Sequence, residues 1–240
     1  MDTALIDALA VRADLTGIWG KVADGRRMSE ADAVALLQSD DLLAIGALAD
    51  FARSRAVGDD VYFIANRHIN HTNVCRNRCR FCAFSHDEGD PEAFTLTVDE
   101  VVAKARETLT AGISEIHIVG GEHPDLPFDY YVELLRGLKT LAPDVHIQAF
   151  TASEVAHLAK VAGLSVEDTL RALKDAGLGS LPGGGAEVFS GRVRDLICER
   201  KISGQEWLDV MRAAHGVGLR SNATMLYGHV ETPAELADHM

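Results

Sequence analysis

Apolar residues in the first 60 positions recur at the spacing of an α-helix. Within Ala33–Leu37 and Leu42–Leu48 they return every three or four residues, which places them on one side of a helix. Ser29 precedes Asp32 by three positions, a pattern typical of a helix N-terminus because the serine oxygen can accept a backbone N–H there. We therefore predict a helical segment that comes before any strand.

From Val61 the pattern changes to short β-rich runs that alternate with capped helices. Such alternation predicts βα units and a parallel sheet. The five predicted strands are Val61–Ile64, Glu115–Val119, His146–Phe150, a short run near Leu178–Leu181, and Ser221–Leu226.

The helices that follow these strands are indicated mainly by their N-terminal residues, where a hydroxyl side chain precedes an acid by three positions. A proline at the first helical position adds a further signal before the last helix. The predicted helices begin at Thr97–Glu100, at about Phe128 (ending near Leu141), after Ser165–Asp168, at Ser203–Glu206 and at Thr232–Glu235.

Five βα units in sequence predict an incomplete barrel. A closed barrel of eight units takes about 250 residues, whereas the units here begin after residue 60 and the chain stops at Met240. We predict an α/β fold with two parts: an N-terminal helical segment, 1–60, and a (β/α) barrel, 61–240, truncated at its C-terminal side. An open five-stranded parallel sheet is the alternative.

The charge balance narrows the class of partner. The formal net charge is −13, from 36 acidic and 23 basic residues, which argues against non-specific binding to nucleic acid or to an anionic membrane surface. No run approaches 18 consecutive apolar residues, and acids stand where a signal peptide needs bases. We expect a cytoplasmic protein with small-molecule partners.

Three of the four cysteines lie within eight residues, as Cys75-x3-Cys79-x2-Cys82. The fourth, Cys198, is more than a hundred residues away and has apolar neighbours, so we interpret it as structural. This distribution does not resemble a disulfide framework and indicates a reducing compartment. Thiolates select zinc, copper(I) or iron–sulfur clusters, and three thiolates leave a coordination position open for chemistry.

A structural zinc site is the alternative interpretation of the same cysteines. Such a site needs a fourth ligand, which His71 or His86 could supply at plausible spacing. The protein would then be a zinc-stabilised binding module without catalysis.

Two motifs in order resemble the radical S-adenosylmethionine (SAM) superfamily. The first is the group Cys75, Cys79 and Cys82 with Phe81 before the last cysteine, and the second is Gly120-Gly121-Glu122 after the second predicted strand. The resemblance implies a [4Fe–4S] cluster held by the three cysteines. It also implies that Phe81 shields the cluster, that Gly120 and Gly121 let the backbone approach the methionine end of SAM, and that Glu122 pairs with its ammonium.

Longer segments resemble one family within this superfamily, the aminofutalosine synthases. The Gly-Gly-Gly-Ala-Glu segment is shared with the sibling dehypoxanthine futalosine cyclases, whereas the stretch from Ile116 to Tyr131 favours the synthases. That family continues well past residue 240. The segments that carry the resemblance are Asn66–Asn73, Glu115–Gly121, Leu126–Tyr131, Gly183–Glu187 and Ser221–His229.

This narrower resemblance implies a transferase of menaquinone biosynthesis. One electron, from a donor such as flavodoxin or ferredoxin, cleaves SAM to methionine and a 5'-deoxyadenosyl radical, which adds to 3-[(1-carboxyvinyl)oxy]benzoate. The adduct rearranges and loses its carboxylate carbon to give 6-amino-6-deoxyfutalosine, so SAM is a co-substrate. Dehypoxanthine futalosine cyclase, another radical SAM sibling and an inactive fragment are the alternatives.

A substrate with two carboxylates requires basic partners near the mouth of the sheet. Arg67 and His68 are our candidates for this role, with His71 close by; each is also a reasonable structural residue. For Glu187 we predict contact with SAM or action as a base, although an acid near a helix N-terminus is equally well explained by the helix dipole. Asn222 is predicted to reach the adenosyl group.

Overall fold

The computed structural model describes residues 3–109 and 112–240, which form two compact units. The first contains the described residues up to Phe63 together with Gly228–Met240, and the second is Ile64–Tyr227. The domain boundary at residue 60 stays a prediction, although the last helix, which we had assigned to the barrel, groups with the first unit. No helix in the described ranges is both long enough and apolar enough to cross a membrane.

The first unit is helical, as its periodicity predicts. Its core contains Ile6, Ile18 and Leu48, and the Trp19 ring packs edge-on against Phe51 with 4.9 Å between centroids. Ser29 and Asp32 form the predicted capping box. The helices are α1 Thr3–Arg12, α2 Thr16–Asp24, α3 Glu30–Gln38, α4 Leu42–Val57 and α11 Pro233–His239.

The second unit contains a five-stranded parallel sheet whose strands lie side by side in the order of the sequence. Every strand therefore has its carboxyl end at the same edge of the sheet, where loops between strand and helix can meet. This arrangement confirms the predicted α/β class. The strands are β1 Asn66–Ile69, β2 Glu115–Ile118, β3 His146–Ala149, β4 Ser180–Leu181 and β5 Arg220–Ser221.

Alternate residues of these strands face opposite sides of the sheet. One side carries Ile69, Ile116 and Ile147, which belong to the apolar core that the helices complete. The helices of this unit are α5 Val98–Arg106, α6 Phe128–Leu141, α7 Ala152–Ala162, α8 Val166–Ala176, α9 Gly191–Ile197 and α10 Gly204–Gly216.

The other side of the sheet is polar. His68, His117 and Gln148 are register partners across β1, β2 and β3. The rings of His68 and His117 pack edge-on with 5.1 Å between centroids, and Gln148 Nε2 donates to Asn222 Oδ1 over 2.7 Å. A row of hydrogen-bonding groups therefore crosses this face of the sheet.

Two strand predictions are wrong in position. Val61–Ile64 forms no strand, and β1 lies at Asn66–Ile69, where it pairs with β2. We predicted this strand from the high β-propensity of an apolar run. In the structure these four residues are 62–91% exposed. High propensity alone does not make a strand, because a strand also needs a partner in the correct register. The fifth strand is likewise shorter and earlier than predicted, because only Arg220–Ser221 pairs with β4.

Two helices were absent from the prediction. Helix α7 begins immediately after β3, and Thr151 and Glu154 form its capping box, a local signal present in the sequence. Helix α9 is short, and the residue three positions after its N-cap Ser190 is Val193 and not an acid, so the sequence carries no such signal. The capping boxes predicted at Thr97, Ser203 and Thr232 are confirmed.

Candidate active site

The three motif cysteines line one cavity of about 120 Å³ in the second unit. All three are free thiols; Cys79 is buried, and Cys75 and Cys82 are half-buried. Gly120-Gly121-Glu122 lines the same cavity, so the structure brings together the two motifs that are 38 residues or more apart in the sequence. Phe81, Glu154 and Lys201 are among the other residues that line this cavity.

Backbone hydrogen bonds hold the cysteine loop against three other segments. The N–H of Cys75 donates to the His86 carbonyl over 3.1 Å, and that of Arg76 donates to the Glu122 carbonyl over 3.0 Å. The N–H of Arg80 donates to Ile197 O over 2.8 Å. The loop therefore presents its thiols from a backbone that is fixed on several sides.

Gly120 and Gly121 are required by the packing of the protein itself. A Cβ at Gly120 would lie 2.4 Å from Cε1 of the His71 ring, and one at Gly121 would lie 2.0 Å from the Val74 carbonyl oxygen. Close approach of these glycines to SAM stays a prediction; the structure adds a further reason for them, which is contact between the end of β2 and the residues that lead into the cysteine loop.

Glu154 fastens the glycine segment to the start of α7. Its carboxylate accepts the N–H of Gly120 over 3.1 Å and the N–H of Thr151 over 2.7 Å. Burial raises the pKa of Glu154 to about 7, although the hydrogen bonds from Thr151 and Gly120 act in the opposite direction. This carboxyl group can therefore hold or release a proton near neutral pH.

Glu122 lies on the same wall and is also buried. Its carboxylate accepts a hydrogen bond from the Ser153 hydroxyl in the first turn of α7. The predicted partner for an ammonium group is thus in the cavity and is held by one hydroxyl donor.

Glu187 is paired with a lysine. Lys201 Nζ donates to Glu187 Oε1 over 2.6 Å, with both side chains largely buried. The same ammonium lies 5.7 Å from the centroid of the Phe81 ring. Lys201 lines the cavity. Glu187 does not line it but forms an ion pair with Lys201.

Arg194 holds the turn that carries Glu187. Its guanidinium donates to the carbonyls of Gly185, Ala186 and Val188 over 3.3, 2.6 and 3.4 Å, and also to the carbonyl of Ile202. Glu187 itself has a φ of 50°, a left-handed conformation that is uncommon outside glycine. The surrounding carbonyl contacts therefore fix an unusual backbone.

The remaining predicted residues lie outside this cavity. His68 is on the polar side of the sheet, while Arg67 is its neighbour on β1 and so faces the opposite, helix-covered side. Asn222 lines a second cavity of about 560 Å³, together with Gln148 and Ser180. Arg67 and His68 thus lie on opposite faces of the sheet. Their predicted role as two parts of one carboxylate clamp stays a prediction, and the structure does not bring the two side chains to one site.

The cavity suits an iron–sulfur cluster by its chemistry. Cysteine thiolates are the usual ligands of such clusters, and each thiolate of a four-iron cluster binds a different iron, so the sulfurs need not converge on one point. Burial raises the pKa of Cys79 to about 12, so a metal must displace the proton before this thiol becomes a ligand. The three cysteines therefore fit the cluster.

The zinc alternative finds less support. Within residues 3–109 and 112–240, no three Cys, His, Asp or Glu side chains are grouped so that they could hold one metal ion. The ring of His71 packs against Gly120 and Tyr131, and His86 Nδ1 lies 3.1 Å from Asp90 Oδ2. His86 thus has another polar partner, whereas the two ring nitrogens of His71 accept or donate no hydrogen bond within the described residues.

Sequence reasoning missed Lys201 and Glu154. Glu154 had a local signal, the capping box with Thr151, but this indicates a helix and not a site. Lys201 had none, because its contacts with Glu187 and Phe81 join positions 14 and 120 residues apart.

Cys198 is also close enough to influence Cys79 electrostatically.

A parallel α/β sheet with three cysteines at one cavity agrees with the superfamily that the cysteine motif resembles. The Radical SAM superfamily matches residues 69–240, and the chain belongs to that superfamily. This superfamily consists of enzymes that use a [4Fe–4S] cluster and SAM.

Within the superfamily the chain is similar to the aminodeoxyfutalosine synthase of Thermus thermophilus, with 45% identity over 92% of this chain and 59% of that protein. It is also similar to the 5-amino-6-(D-ribitylamino)uracil–L-tyrosine 4-hydroxyphenyl transferase of Methanopyrus kandleri, with 47% identity over 79% of this chain and 51% of that protein. The chain thus spans between half and three-fifths of these relatives.

Solved structures share the fold. The [FeFe]-hydrogenase maturase HydG superposes with a TM-score of 0.69 and 19% identity, covering 98% of this chain and 53% of the maturase. At that identity the similarity concerns the arrangement of strands and helices alone.

Proposed function

We propose that the chain is an aminofutalosine synthase, which joins the adenosyl part of SAM to 3-[(1-carboxyvinyl)oxy]benzoate to give 6-amino-6-deoxyfutalosine for menaquinone biosynthesis. The observation that carries the proposal is the 45% identity to the Thermus enzyme over 92% of this chain. We place the enzyme in the cytoplasm, where its four free thiols stay reduced.

In this proposal Cys75, Cys79 and Cys82 hold the cluster, and Gly120-Gly121-Glu122 lies beside SAM. When bound, the cluster supplies one electron that cleaves SAM, and the electron comes from a donor such as flavodoxin or ferredoxin. The contribution of the protein is to position and orient its ligands. Glu122 offers a buried carboxylate for the SAM ammonium, and Phe81, which lines the same cavity, would shield the cluster from water.

The polar side of the sheet supports the proposal that the substrate is an anion. His68 and His117 stand next to each other on β1 and β2, and the Asn70 amide lies 3.2 Å from His68 Nε2. Gln148 continues the row on β3. The rings of His68 and His117 can donate hydrogen bonds to a benzoate carboxylate, and this row replaces the pair Arg67 and His68 as our proposed clamp because its members share one face.

A second function is favoured by a separate observation. The 47% identity to the Methanopyrus transferase, over 79% of this chain, supports a reaction of 5-amino-6-(D-ribitylamino)uracil with L-tyrosine. The first proposal is preferred because two aminodeoxyfutalosine synthases are 44–45% identical to this chain over 92% of its length, whereas over a similar length, 96%, a second such transferase is 40% identical. The two functions differ in substrate, so a product assay separates them.

The test is anaerobic reconstitution of the full chain with iron and sulfide, followed by dithionite, SAM and 3-[(1-carboxyvinyl)oxy]benzoate. Products are identified by mass. We expect 6-amino-6-deoxyfutalosine with release of methionine, and neither in the Cys82→Ala variant. The Cys198→Ala variant is the matched control, and it is expected to keep its iron content.

A parallel reaction replaces the benzoate by 5-amino-6-(D-ribitylamino)uracil and L-tyrosine. Product in that reaction alone would establish the second function and reject the first. Cleavage of SAM without product from either substrate set would reject both assignments. A Cys82→Ala variant with normal iron would contradict the ligand set.

A further inference from the structure

A largely buried ion pair lies beside the cysteine loop. The side chains of Lys201 and Glu187 are 16% and 11% exposed. Removing two charges from water costs several kcal/mol per ion, so such a pair is weak evidence for stability. This makes it reasonable to look for a role of the pair at the adjacent site.

The pair is oriented with its ammonium toward the thiols. Lys201 lines the same cavity as the three cysteines, while Glu187 lies behind it. The ammonium lies 5.7 Å from the centroid of the Phe81 ring, and Phe81 adjoins Cys82 in the cysteine loop. The electrostatic effect of the pair at the cysteine loop is therefore positive.

The geometry of the pair is fixed from both sides. Glu187 sits in a left-handed turn whose neighbouring carbonyls accept hydrogen bonds from Arg194. The backbone N–H of Lys201 donates to the Cys198 carbonyl over 2.9 Å, and its ammonium lies over the Phe81 ring. The charge is thus held in place before any cofactor binds.

We propose that Lys201 is a positioning residue for the cluster site, whose fixed ammonium raises the reduction potential of the bound cluster, and that Glu187 holds this ammonium in place. A one-electron reduction makes the cluster more negative, and a nearby cation stabilises that state relative to the oxidised one. The inference rests on the cofactor of the superfamily and is independent of the substrate proposed above.

The test measures the potential of the cluster and not turnover. Wild-type chain and variants are reconstituted anaerobically, their iron and sulfide are quantified, and each is titrated with dithionite against mediators while the reduced cluster is followed by electron paramagnetic resonance. The variants are Lys201→Met, which removes the charge at similar length, Lys201→Arg, which keeps it, and Glu187→Gln, which removes the opposing charge.

At the wild-type midpoint, we expect Lys201→Met to lower the ratio of reduced to oxidised cluster at least tenfold, which is about 59 mV for one electron. Lys201→Arg should stay within about threefold of wild type. Glu187→Gln should raise the ratio, because the carboxylate that offsets the ammonium is lost.

A purely structural role predicts a different pattern. Lys201→Met would then lose iron or thermal stability, but the clusters that remain would titrate at the wild-type potential, and this result would overturn the proposal. If Lys201→Met fails to fold or to load a cluster, Glu187→Gln decides, because an unchanged or lowered ratio in that variant also overturns it.

Discussion

The backbone N–H of Gly120 donates a hydrogen bond to the side chain of Glu154, with 3.1 Å between the two atoms. One buried carboxyl group thereby joins the glycine segment after β2 to the first turn of α7. Because the same group also accepts from Thr151, its protonation affects both segments.

We predict that Glu154→Gln changes the pH dependence of stability. The folded-state pKa of Glu154 is raised to about 7, above the ordinary 4.5, so the unfolded chain releases this proton first and the wild type loses stability as pH rises from 4.5 through 7. Relative to wild type, Glu154→Gln should gain about 3 kcal/mol across that window. Urea unfolding at pH 4.5, 6 and 7.5 measures this difference; a constant difference would contradict the assignment.

His71 should produce the opposite slope. Burial lowers its pKa to about 4 from 6.5, so the unfolded chain binds the proton first and the wild type loses stability as pH falls from 6.5 toward 4. The stability of wild type minus that of His71→Leu should therefore grow by about 3 kcal/mol from pH 4 to pH 7. The same urea series measures it, and Glu154→Gln serves as the control with the reverse sign.

Gly121→Ala should separate the glycine segment from the cysteine loop. The new Cβ would meet the Val74 carbonyl oxygen at 2.0 Å and Cys75 Cβ at 3.0 Å, and overpacking of this kind costs about 3 kcal/mol. We expect that loss in urea unfolding together with reduced iron after reconstitution. Gly46→Ala in α4, with no atom within 4 Å of the added Cβ, is the control and should be neutral or up to about 1 kcal/mol more stable.

Arg194→Met should destabilise the turn that carries Glu187. The substitution keeps the apolar part of the side chain but leaves the carbonyls of Gly185 and Ala186 without this donor, at a cost of about 2 kcal/mol. Arg171→Met, at a 57% exposed position, is the matched control and should change the unfolding free energy by less than about 0.5 kcal/mol. Equal effects of the two substitutions would show that the buried contacts of Arg194 are not stabilising.

The features that could be predicted from the sequence are local ones. The capping residues Ser29, Thr97 and Ser203 act within one helical turn, and the cysteine spacing lies within one loop. The apolar run Val61–Ile64 was misleading because strand pairing is decided by a partner about 50 residues away. The same limitation concealed the pair of Lys201 with Glu187 and the opposite faces of Arg67 and His68.

The order of the strands also bears on how the chain folds during synthesis. Each strand pairs with one that the ribosome has already produced, so the sheet can grow one strand at a time without waiting for a distant segment. The partners of the cysteine loop at Gly121 and Glu122 are synthesised directly after β2, and its partner Ile197 follows some 75 residues later. The residues that hold the thiols thus become available in two stages, and both precede β5 in the sequence.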